Sequence, residues 1–66
     1  MAYQVVKKRG SEEDILGVFP RREHAEIFRD AYASRMQPFW VTIIKQDDEV
    51  ILYDQETDET VVVYIR

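Results

Sequence analysis

Residues 38–46, PFWVTIIKQ, carry apolar side chains on both sides of what must be an extended segment. A strand that covers a single core alternates apolar with polar. Here Phe39, Val41 and Ile43 take one side, while Trp40 and Ile44 load the other with only Thr42 between them. One side can meet a core, so the other needs a separate explanation.

The neighbouring segments settle which side is which. A tight turn at Asp47 and Asp48 pairs Ile44 with Ile51, Ile43 with Leu52, and Thr42 with Tyr53. A turn centred on Glu56 and Thr57 pairs Leu52 with Val61 and Ile51 with Val62. A one-residue slip in either would invert the faces, but the two registers agree in parity. One face then collects Phe39, Val41, Ile43, Val50, Leu52, Val61, Val63 and Ile65. The other collects Trp40, Thr42, Ile44, Ile51, Tyr53, Val62 and Tyr64.

Upstream, residues 3–8 (YQVVKK) form a β-type run, RGSEED reads as a turn-rich loop containing Gly10, and residues 15–19 (ILGVF) return as a second strand. Gly17 within that strand signals a bulge or a close approach by the helix. Pro20 stops the strand, and residues 21–36 change to a helical period. Ala25, Phe28, Ala31, Tyr32 and Met36 share one face of it, with Arg22, Glu23, Glu26, Arg29 and Asp30 on the other. Arg21 occupies the position where Ser, Thr or Asp would cap best. Gln37 before Pro38 ends the helix, because a residue preceding proline is pushed out of the α region.

The expected fold is α+β: a single small domain over residues 1–66, in ββαβββ order. Its sheet is antiparallel or mostly antiparallel, with one amphipathic helix packed on one face. One helix covers one face. The aliphatic set suits burial beneath Phe28 and Tyr32, with Phe28 set against Phe39, Val41 and Leu52. The second set is rich in aromatic residues that have an apolar body and a polar tip, a composition common at protein interfaces. Trp40, Ile44, Ile51, Tyr53 and Tyr64 are therefore the candidate partner-binding residues. β-branched and aromatic residues also form strands well on solvated faces, but so much apolar surface left open in a monomer usually has a use.

A chain of 66 residues without cysteine has neither a disulfide nor a thiolate metal site. A core this small supplies only about 3–5 kcal/mol, which favours association with a copy of itself or with another protein. A homodimer is the simplest such assembly. Residues 1–10 lack a signal-peptide core and no apolar run reaches membrane-span length, so a cytoplasmic location is expected.

The net charge of −4 is uneven: residues 1–36 carry +1 and residues 37–66 carry −5. Lys7, Lys8, Arg9 and Arg22 are the residues a nucleic-acid-binding alternative would use, yet acidic residues interleave with the basic ones and nearly cancel them. The acidic C-terminal half also admits a nucleic-acid mimic of the phage or anti-defence type, although solubility explains the same charge more simply. DDE and DQETDE lack the glycine and flanking helices of a calcium loop. His24 has neither a positioned partner nor a nucleophile motif near it in sequence. No catalytic residue, metal ligand or cofactor is assigned, and the chain is expected to act without enzymatic chemistry. The run ILGVFPRREHAEIFRDAYA resembles the strand-into-helix segment of many small bacterial and phage proteins, a likeness that implies no activity.

Overall fold

In the computed structural model the side-chain period changes where the sequence changes it. The elements are β1 (Tyr3–Arg9), β2 (Glu12–Phe19), α1 (Arg22–Arg35), β3 (Val41–Gln46), β4 (Glu49–Asp54) and β5 (Glu59–Ile65). The structure describes residues 2–36, 41–46 and 48–66. Phe39, Trp40, Asp47 and the helix stop expected at Gln37 and Pro38 lie outside the described residues.

The five strands form one antiparallel sheet in the order β2-β1-β5-β4-β3. Helix α1 leaves from one edge strand, β2, and delivers the chain to the other, β3. Both C-terminal registers read from the sequence hold. Ile44 stands opposite Ile51, Ile43 opposite Leu52 and Thr42 opposite Tyr53. Leu52 stands opposite Val61 and Ile51 opposite Val62.

The first hairpin differs from the expected one. Its loop is only Gly10 and Ser11, and residues 12–14 already belong to β2. Charge complementarity explains this, because Arg9, Lys8 and Lys7 stand opposite Glu12, Glu13 and Asp14. Gly10 has φ +60 and Ser11 keeps a negative φ, the pattern of a type II′ turn, which requires glycine at its first central position. Val5 faces Gly17 and Val6 faces Ile15, so Leu16 is the extra residue of a β-bulge. The irregularity expected at Gly17 therefore sits one residue earlier.

Helix α1 is preceded by Arg21, which has extended backbone and makes no side-chain cap, and is followed by Met36, whose N–H donates to the carbonyls of Tyr32 and Ala33. Glu23 in the first turn and Arg35 in the last both suit the helix dipole. The helix packs over β1, β5, β2 and β4. Beneath it Val5, Val50, Leu52, Val61, Val63 and Ile65 form the core with Ala25 and Ala33.

Two helix assignments need correction. Arg29, expected on the polar face, is buried in line with Ala25 and Ala33 at four-residue spacing. Its Nη1 donates to the Asp48 carbonyl at 3.1 Å and its Nε to Asp30 Oδ1 at 3.1 Å. Ala31, placed on the apolar face, is exposed. Phe28 packs against the core that contains Leu52, with its ring 5.2 Å from Phe19 of β2 and 6.4 Å from Tyr32 of its own helix.

Candidate functional site

Strand alternation leaves a second face, turned away from the helix. Its centre is a row across three strands, Ile44 on β3, Ile51 on β4 and Val62 on β5, each directly opposite the next. Thr42, Tyr53 and Thr60 form the row on one side of it, and Gln46, Glu49 and Tyr64 the row on the other. Of the candidate partner-binding residues, Ile44, Ile51, Tyr53 and Tyr64 thus come together on one surface. Trp40 lies outside the described residues.

Both tyrosines give their hydroxyl to a carboxylate of the same chain. The Tyr53 hydroxyl donates to Asp58, and the Tyr64 hydroxyl donates to Glu13. These hydrogen bonds to carboxylates, together with the nearby negative charge, raise both phenol pKa values above the usual 10.0. Asp58 is positioned by the β4–β5 turn, where it adopts φ 61. Asp54 Oδ1 accepts the N–H groups of Glu56 and Thr57 in that turn. Gln55 ties the turn to β3 by donating from Nε2 to Thr42 Oγ1 at 2.8 Å.

The Tyr64 contact crosses a strand. Glu13 lies on β2 and Tyr64 on β5, with β1 between them. Arg66 reaches the same carboxylate at 3.7 Å and also donates from Nε to Gln4 Oε1 at 3.2 Å. These side chains pass over Val6, which stands between Tyr64 and Ile15 and is fully buried although no helix covers this face. Sequence reasoning missed Val6 because its cover comes from residues 13, 64 and 66, far apart in the chain. The β2–β1–β5 half of the face is thus strapped by a polar bridge, while the β5–β4–β3 half has the apolar Ile44–Ile51–Val62 row at its centre, with polar and tyrosine rows beside it. Ile44 is exposed at the β3 edge of this face, and Ile15 and Val18 are exposed at its β2 edge.

The basic candidates are not gathered in one place. Arg9 lies at the β4–β5-turn end, 4.0 Å from Glu59, whereas Arg22 at the start of the helix pairs with Asp48 in the β3–β4 turn and with Glu26. Lys7 and Arg9 share the helix side, and Lys8 is on the other face. Each of the three stands opposite an acidic residue. His24 is exposed on the helix. Among the described residues, no group of three or more His, Cys, Asp or Glu side chains could hold a metal ion, and no helix is long and apolar enough to cross a membrane.

No protein-family model, curated protein or solved structure matches this chain, so its face must be read from its own residues.

Proposed function

We propose that this chain is a non-enzymatic protein–protein interaction module that self-associates through its helix-free sheet face, with the cytoplasm as its place of action. The Ile44–Ile51–Val62 row carries this reading. Three β-branched side chains in direct cross-strand register make a flat apolar strip, with Tyr53 and Tyr64 at its flanks. The tyrosine hydroxyls are already satisfied within the chain, so burying their rings leaves no unpaired donor, which would otherwise cost about 1–3 kcal/mol. A second copy is the simplest partner, because a two-fold contact needs only one self-complementary patch. A module of this kind can also regulate or inhibit a partner protein by occupying its surface.

The nucleic-acid alternative has less behind it. Lys7, Lys8, Arg9 and Arg22 each have an acidic neighbour and are spread over different faces and ends of the sheet. Phosphate binding draws its strength from several cations acting together.

Sedimentation velocity over a concentration series, on wild type and on Ile51→Asp, tests the proposal. Wild type should associate, and Ile51→Asp should remain folded while its association through this face is lost. Wild-type chain that stays monomeric, or association that Ile51→Asp does not weaken, would contradict it.

A further inference from the structure

The two edges of the sheet are not equally protected. Exposed edge strands invite pairing with another chain, and proteins blunt them with bulges and charges. Edge strand β2 has both, a bulge at Leu16 and the acidic run Glu12, Glu13 and Asp14. Edge strand β3 has no bulge and no run of charges. It keeps unbroken register with β4 over six residues and carries one charge, Lys45, whose ammonium is already held by Asp30 at 3.2 Å.

Hydrogen-bond alternation fixes what this edge offers. Gln46 stands opposite Glu49 across a two-residue loop, so Gln46, Ile44 and Thr42 turn their backbone groups towards β4. The N–H and C=O of Ile43 and Lys45 therefore point outward, and among the described residues no backbone partner meets them there.

The geometry points to a second copy of this chain, added antiparallel along β3 with its two-fold axis at Ile44. The strand is self-complementary about that residue. Ile44 meets its own copy on the helix-free face, Thr42 meets Gln46, and the aliphatic stem of Lys45 lies beside Ile43. No like charges oppose each other. Ile43 and Lys45 exchange both backbone bonds with Lys45 and Ile43 of the other copy, making four bonds about the axis. A two-fold perpendicular to the sheet keeps both helices on the same side. The pairing yields a ten-stranded sheet whose two apolar strips become continuous.

This contact is independent of the face-to-face one. Either alone gives a dimer, and the two together give a tetramer. Sedimentation equilibrium on wild type, Ile51→Asp, Lys45→Pro and the double variant separates them. Proline at position 45 removes an outward N–H while sparing the β4 ladder and the apolar strip. Ile51→Asp should stop at a dimer, and the double variant should dissociate about tenfold more readily or beyond. A wild-type dimer that Lys45→Pro dissociates and Ile51→Asp leaves intact would uphold the edge contact and overturn the face. An Ile51→Asp protein that is monomeric would overturn the edge contact. So would a double variant that dimerises as tightly as Ile51→Asp alone.

Amide hydrogen exchange on Ile51→Asp provides a readout even if the proline variant does not fold. Exchange at Ile43 and Lys45 should slow as concentration rises, with Ile44 and Gln46 protected throughout. Fast exchange at Ile43 and Lys45 at every concentration would overturn the inference.

Discussion

The Phe19 ring lies back over Gly17, where a Cβ would come within 2.9 Å of its Cε2 and 3.1 Å of its Cζ. Phe19 cannot simply swing aside, because Phe28 packs on it at 5.2 Å. Glycine at position 17 therefore leaves the space the Phe19 ring occupies when it packs against Phe28 of the helix.

Gly17→Ala should destabilise the domain by about 1–3 kcal/mol, the usual cost of overpacking. Urea denaturation gives the value. In a Phe19→Ala background the same substitution should cost much less, since the ring it displaces is gone. A penalty unchanged in that background would show that the constraint lies elsewhere.

Arg29 anchors the helix to the β3–β4 turn through the Asp48 carbonyl, with Asp30 holding its Nε and Lys45 on the other side of Asp30. Arg29→Ala should cost about 1–3 kcal/mol by removing a charge-assisted hydrogen bond and the packing of a buried side chain. Arg29→Lys should restore only part of this, since an ammonium cannot reproduce the guanidinium fork that reaches both partners. Thermal melts of the two variants check it, and full rescue by lysine would count against the fork.

Alkaline pH should weaken the fold through the two tyrosines. Tyr64 and Tyr53 have folded pKa values raised by their hydrogen bonds to Glu13 and Asp58. The stability these bonds contribute is fully present below the unfolded value of about 10 and is lost as pH rises through the raised folded values. The urea midpoint should fall above that pH in wild type and less steeply in Tyr64→Phe. Parallel pH curves for the two proteins would remove Tyr64 from the account.

Much of this fold was legible in the sequence because the turn spacings on either side of β4 give two pairings that agree in parity. Val50, Leu52, Val61 and Val63 fall on one face in both pairings, and their purely aliphatic character, against the Thr and Tyr residues of the other set, assigned them to the helix side. The first hairpin was harder to read. Residues 12–14 are all acidic and look like loop until set against Lys7, Lys8 and Arg9, a pairing that shows only once the chain is folded back. Arg29 was misplaced because its charge outweighed its spacing from Ala25 and Ala33. Val6 gave no local sign at all, since its cover is assembled from both ends of the chain. Ile44, Ile51, Tyr53 and Tyr64 could be grouped beforehand because grouping them needed only parity and register.

Methyl NMR across a dilution series, with a soluble gadolinium chelate as relaxation agent, tests the helix-free face most directly. Ile27, 66% exposed on the outer side of the helix, is the internal reference. The methyl groups of Ile44, Ile51 and Val62 should become protected from the chelate as concentration rises, while Ile27 stays accessible. Attenuation of all four that does not change with concentration would contradict an interface on this face.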